Sequence, residues 1–107
     1  MASKKHIAID QGTDFSLDLN FAFEEPLVLT NGYTARGSMR RHYSSNTAYD
    51  FVCSIVDADT VNISMTNSTT SAIPAGRYVY DVELVSPANI VIRGVEGMVT
   101  VYPQTTK

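Results

Sequence analysis

Asp81 and Glu83 stand two residues apart in the segment IPAGRYVYDVEL, residues 73–84. In an extended chain that spacing puts both carboxylates on one face, roughly 7 Å apart. A carboxyl pair at such a separation is what glycoside hydrolysis uses, one group as acid and the other as base or nucleophile. That chemistry also needs a sugar cleft with aromatic platforms. The chain has no Trp, and most of its aromatic residues fall at core-facing positions of the strand pattern. Arg36 and Arg40 lie on the polar face of another strand, and opposite charges on neighbouring strands commonly pair. Asp81 and Glu83 therefore read as a solvated, ion-paired face. Exposed pairs of this kind contribute about 0–1 kcal/mol to folding, and act more through the choice of partner.

The other reactive residues point away from chemistry. Asp57-x-Asp59 has the first two acids of a calcium loop but lacks the further oxygen ligands, the Gly and the distal Glu. His6 and His42 are far apart and have no Cys or His at ligand spacing. Ser, His and Asp are present, but no G-x-S-x-G elbow holds a nucleophile, and no glycine-rich phosphate loop is visible. Cys53 is the only cysteine and sits in the apolar alternation FVCSIV. It reads as a small buried hydrophobe, and no internal disulfide is possible. The expectation is a protein with no catalytic residues, no cofactor and no metal.

The 107 residues suit one domain. Charged residues make up 18% of the chain, below the ~25% typical of soluble domains. Ser, Thr and Asn fill the difference, which favours strands and loops over helix. The net charge of −3 leaves no basic footprint for nucleic acid. The one basic cluster is Arg36, Arg40, Arg41 and His42. MASKKHIAID carries no apolar run long enough for a signal peptide, and no segment nears the ~20 apolar residues of a membrane-spanning helix. Cytoplasmic synthesis is expected, so the glycosylation sequons at Asn62 and Asn67 are discounted.

The elements that must position these residues are strands. Phe15, Leu17, Leu19, Phe21 and Phe23 alternate with Ser16, Asp18, Asn20 and Ala22, which places the five on one strand face. Glu24-Glu25-Pro26 ends that run. The Asn31-Gly32 turn leads into a strand over 33–39 with Tyr33, Ala35, Gly37 and Met39 on one face. After a polar loop at 41–48, Tyr49, Phe51, Cys53 and Ile55 alternate with Asp50, Val52, Ser54 and Val56. Asp57-Ala58-Asp59 turns the chain into Val61, Ile63 and Met65, a hairpin. Residues 66–72 suit a single helical turn. Tyr78, Tyr80, Val82 and Leu84 form the core face of the next strand. Residues 90–93 and 95–102 complete the pattern, with Gly94 and Gly97 marking a bulge or close approach. Loose ends are expected at 1–5 and 103–107. Seven or eight short strands separated by turns predict an antiparallel sandwich or barrel.

Four segments in order, IDQGTDFSLDL (9–19), LTNGYTARGSMRRHY (29–43), IPAGRYVYDVEL (73–84) and EGMVTVYPQTT (96–106), resemble a group of small structural proteins of tailed bacteriophages. Asn31 is an addition to the group's LTGYTA pattern. The resemblance implies an immunoglobulin-like β-sandwich without catalytic residues, built into the virion at the tail, neck or baseplate. Capsid decoration or fibre anchoring is the alternative, and a carbohydrate- or cell-surface-binding module using Tyr43 and Tyr49 is a second. The implied partners are other virion proteins and copies of the chain itself in a symmetric assembly, with no nucleic acid and no membrane. Candidate contacts are Arg36, Arg40, Arg41 and His42 with Asp81 and Glu83. The N-terminal run HIAI and the C-terminal tail are expected to lie across neighbouring subunits.

Overall fold

The computed structural model describes residues 3–21, 28–42 and 44–104. Along these the chain forms β1 (Ser3–Lys4), β2 (Ile7–Asp10), β3 (Phe15–Asn20), β4 (Thr34–Arg40), β5 (Tyr49–Asp57), β6 (Thr60–Met65), α1 (Asn67–Ser71), β7 (Gly76–Val85) and β8 (Val91–Tyr102). The strand order is β1-β8-β7-β4-β5-β6-β3, with β2 also paired to β8. β5 belongs to both layers. Its first residues, Tyr49–Phe51, pair with Met39–Gly37 of β4. From Val52 onward it pairs with β6, which in turn pairs with β3. One layer is thus β1/β2, β8, β7, β4 and the start of β5, and the other is the rest of β5, β6 and β3.

The period-two reading explains why these layers face each other. Along β7 every second residue from Tyr78 to Leu84 is buried, and the residues between are only partly so. β6 contributes Val61, Ile63 and Met65, β3 contributes Leu19, and Phe21 follows it into the core. Phe15, Leu17, Tyr33, Ala35, Tyr49, Cys53 and Ile55 pack around the margin. Burial of apolar faces from both layers is the main drive for closing the sandwich, at about 25 cal/mol per Å².

β8–β7–β4 and β3–β6–β5 correspond to the G–F–C and B–E–D orders of immunoglobulin-like sandwiches. A second hallmark is present at the start of β7. Tyr78 Oη donates 2.5 Å to the carbonyl oxygen of Pro74, tying the chain back four residues as a tyrosine corner does. The fold is an all-β, immunoglobulin-like sandwich. α1 is the single turn expected over 66–72.

Differences from the sequence reading cluster at the N-terminus and in the last strand. Most of the HIAI run is taken up within the chain's own fold. Residues 7–10 form β2, parallel to Val99–Tyr102 of the same chain, and bury Ile7 and Ile9 in its own core. Ser3–Lys4 pair with Val95–Glu96, and Gln104 N donates 3.0 Å to Gln11 Oε1. Residues 90–93 and 95–102 contribute to one strand, β8, because Gly94 is the extra residue of a bulge between Val82↔Val95 and Glu83↔Arg93. At Gly97 the expected close approach is made by the backbone of Lys5. The expectations for Phe23, Glu24-Glu25-Pro26, Leu27, Tyr43 and the tips 1–2 and 105–107 lie outside the described residues.

Candidate functional site on the outer face of β4, β7 and β8

The outward residues of these strands form rows across the sheet. Arg36, Glu83 and Arg93 make one row, and Ser38, Asp81 and Glu96 the next. Arg36 Nε reaches Glu83 Oε1 at 2.9 Å. Arg93 reaches Asp81 at 3.5 Å and Glu96 at 3.4 Å. Asp81 and Glu96 lie directly opposite each other, an arrangement that repels, and Arg93 offsets it by bridging the two. A shallow hollow of about 420 Å³ lies beside this network, lined by Arg36, Ser38, Asp50, Asp81 and Glu83 among others.

The carboxylates of the face are thus engaged by guanidinium groups, an arrangement suited to meeting a charged surface. The proton affinity of Asp81 is raised. Partial burial is the main cause; Arg93 opposes it, and Glu83 and Glu96 add to it. The folded-state pKa lies above the ordinary value of 3.8, so folding is favoured by the protonated form. That contribution is complete below the unfolded pKa and is lost as pH rises through the folded one. Asp81→Asn should therefore melt progressively higher than the natural chain as pH rises through the mildly acidic range. Thermal melts from acid to neutral pH test this, and a difference that does not grow with pH would count against it.

The basic candidates divide. Arg36 belongs to the ion network. Arg40 Nη1 donates 2.6 Å to the carbonyl oxygen of Ser45 and closes the β4–β5 loop. Arg41 Nη2 donates 3.0 Å to the carbonyl oxygen of Ala75, and its guanidinium lies 4.7 Å from the centre of the Tyr78 ring. His42 N donates 3.0 Å to Ser45 Oγ. Arg41 thus helps shape the base of the sandwich, whereas Arg40, though tied to Ser45, borders a hollow with Ser38 and Asp81 and shares the outer face with Arg36, Asp81 and Glu83.

Arg93, Glu96 and Asp50 belong with that face and were absent from the sequence candidates. Glu96 could have been found by alternation back from Val99. Arg93 could not, because the Gly94 bulge changes which residues face outward.

The remaining reactive side chains are occupied structurally. Asp57 Oδ1 accepts from Asp59 N at 3.1 Å, a bond that holds its carboxyl below the usual range. Asp59 Oδ1 accepts from Asn20 Nδ2 at 3.3 Å and from Thr60 Oγ1 at 3.2 Å. Together they close the β5–β6 turn. Burial, with Asp50 nearby, pushes the Cys53 thiol up to about 11, so it is protonated at neutral pH. Tyr49 meets Tyr78 edge-on at 6.1 Å, and Arg41 covers Tyr78. Tyr78 is buried, while half-buried Tyr49 lines a hollow of about 390 Å³ with Arg41, Asn46, Thr47 and Pro74. Among the described residues no helix is long and apolar enough to cross a membrane.

No protein-family model matches the chain, and no curated protein matches it. Solved structures do. The SrpA adhesin from Streptococcus sanguinis aligns over 92% of this chain and 55% of its own, with a TM-score of 0.54 and 14% identity. The chain thus spans about half the length of that adhesin. A structure of voltage-gated sodium channel beta subunits aligns over 92% of each chain, with a TM-score of 0.46 and 15% identity. The extracellular domain of the sodium channel beta4 subunit aligns over 99% of this chain and 91% of its own, at 0.43 and 13%. At 14% identity the likeness to the adhesin is one of fold alone.

Proposed function

We propose that the chain is a non-enzymatic structural protein of a tailed-phage particle, held in the tail, neck or baseplate through protein–protein interfaces. The observation that carries this reading is where the four phage-like segments fall. The second contains β4, the third all of β7 but Val85, and the fourth the latter part of β8 from Glu96, and these strands are neighbours in one layer. The first is bound to their base. Gln11 Nε2 donates 2.9 Å to the carbonyl oxygen of Ile73, and Gln11 Oε1 accepts from Gln104 N. The motif residues therefore include most of one layer, the turn bound to its base, and β3 of the facing layer. A pattern spent on holding a sheet in shape fits a protein that works by presenting a surface. The ion network of Arg36, Asp81, Glu83, Arg93 and Glu96 is the surface it presents.

Quantitative peptide mass spectrometry of purified particles from the source phage tests the proposal. Peptides of this chain should be present at a low, ring-like ratio to the major capsid protein. A ratio near that of the capsid protein would replace the tail location with decoration. Absence from particles would overturn the virion reading altogether.

A further inference from the structure

The layer of β5, β6 and β3 ends at β3. In immunoglobulin-like sandwiches of A–B–E–D order the first strand lies beside B and closes that edge. Here the first strands are spent elsewhere, because β1 and β2 pair with β8 in the facing layer. Among the described residues β6 is the one strand that runs alongside β3. Phe21 N donates 2.8 Å to the carbonyl oxygen of Asp59 on the β6 side. By alternation the peptide groups of Phe15, Leu17 and Leu19 point to β6, and those of Ser16, Asp18 and Asn20 point away from it. No backbone group of the described residues meets them on the open side.

This edge lacks the usual protections against pairing. Natural edge strands carry Lys or Pro, or are bent by a bulge. Phe15–Asn20 contains no Lys, Arg or Pro, and its register with β6 is unbroken. Phe15 and Leu17 pack at the core margin but stay half-buried, whereas Leu19 is buried. The core is thus unsealed along part of this edge, and an added strand covers it.

The order of residues says which strand fits. Antiparallel pairing about a two-fold axis makes each residue meet its mirror position in the second copy. With the axis at Leu17, Phe15 meets the partner's Leu19 on the core side, and Ser16 meets the partner's Asp18 outside. The outward peptide groups of Ser16 and Asp18 then lie opposite their counterparts, as ladder bonds require. Asp14 falls opposite the partner's Asn20. In each copy Asn20 borders a hollow of about 210 Å³ that Lys4 and Lys5 also line, so the incoming carboxylate arrives beside two cations. Asp14 is set for this, since its Oδ1 is held by Asn67 N and Nδ2 at 2.8 and 3.1 Å. Other centres fit worse. An axis at Ser16 opposes Asp14 to Asp18, and an axis at Asp18 opposes that residue to itself, both repulsive. An axis at Leu19 pairs only Asp18–Asn20 of β3.

We propose that β3 is a homodimer edge, pairing antiparallel with β3 of a second copy about Leu17. The three-stranded layer then continues as six strands across the dimer. This goes beyond the virion reading and does not depend on it.

The register makes the test specific. In a Cys53→Ser background, chains with Ser16→Cys are mixed with chains with Asp18→Cys under mild oxidation. The two positions lie opposite each other, within the Cα separation that a disulfide accepts. Asn20→Cys alone leaves its two thiols about 20 Å apart along the strands. The mixture should form a covalent mixed dimer in large excess over any covalent dimer of the Asn20→Cys chain. Ser16 also tests the charges. Ser16→Lys faces the partner's Asp18 and should tighten the dimer, whereas Ser16→Asp meets it with like charge, twice by symmetry, and should weaken the dimer about tenfold. Sedimentation over a range of concentrations reads both against the natural chain. Ser16 is exposed, so the circular dichroism of the monomer should not change. Equal cross-linking of the mixture and the Asn20→Cys chain, monomer at every concentration in all three sedimented chains, or shifts of the same sign in Ser16→Lys and Ser16→Asp would each overturn the proposal.

Discussion

Replacing Gly97 by alanine should destabilise the fold by about 3 kcal/mol, near the upper end for forcing atoms into packed space, and lower its melting temperature by roughly 10–20 °C. The reason is the path of the N-terminus. Between β1 and β2 the Lys5 peptide fills the space that a side chain at 97 would need, and an added Cβ would collide with the Lys5 carbonyl oxygen. That peptide has little freedom to move aside. Lys5 N donates 3.0 Å to the carbonyl oxygen of Glu96, and its own carbonyl accepts from Tyr80 Oη at 2.8 Å. Tyr80 is itself buried, and burial pushes its hydroxyl up to about 12.

The alanine variant must therefore break the Lys5 contacts or displace β8. A second substitution tells which. Tyr80→Phe in the natural chain removes one buried hydrogen bond and should cost about 1–2 kcal/mol, since the Lys5 carbonyl is left without its donor. In the Gly97→Ala background, where Lys5 has already been pushed off, the same change should cost much less. Denaturant unfolding of the four chains gives the coupling, and hydrogen exchange at the Lys5 amide gives the location. Additive costs, or undiminished protection at Lys5 in the alanine variant, would show that the collision is relieved elsewhere.

This arrangement also shows what the sequence could and could not disclose. The core face of β7 was legible because strict alternation from Tyr78 to Leu84 has only one physical reading. β3, β5 and β6 were legible for the same reason, and turn chemistry placed the hairpin at Asp57–Asp59. Parallel pairing of β2 with β8 was not legible, because Ile7 and Ile9 are too few to declare a strand and nothing local names a partner 92 residues away. The outer face was half legible. Asp81 and Glu83 follow from the period of β7, and Arg36 from that of β4. Gly94 then reverses the parity of β8. Arg93 faces outward before the bulge and Glu96 after it, so no single alternation includes both. Arg41 illustrates a third limit. Its charge suggested a contact surface, but its donors are spent on the Ala75 carbonyl and its face on Tyr78, which only tertiary geometry reveals.

Thr70→Val should destabilise the chain by about 2–3 kcal/mol although the two side chains have nearly the same shape. Thr70 lies on α1 and is completely buried. Its hydroxyl donates 2.7 Å to the carbonyl oxygen of Thr13 and accepts from Gly12 N at 3.1 Å. It thus satisfies two backbone groups of the turn between β2 and β3. That turn cannot easily find other partners. Gly12 has φ of +84°, a conformation that Gly adopts at little cost, and the Gln104 side chain occupies the space beside its Cα. Valine keeps the packing and deletes both bonds, leaving a partly buried donor and acceptor without the Thr70 hydroxyl. Serine does the reverse. It keeps the hydroxyl and removes a methyl, which should cost about 1 kcal/mol. The order natural > Ser > Val in denaturant midpoints therefore separates hydrogen bonding from packing. The loss should be felt along the whole base, because the same turn carries Gln11, which bridges the Ile73 carbonyl and the Gln104 amide. Amide exchange at Gly12 and Gln104 should accelerate together in the valine variant. If serine proves more damaging than valine, Thr70 acts as a packing residue, and the hydroxyl is not what fastens the first motif to the sheet.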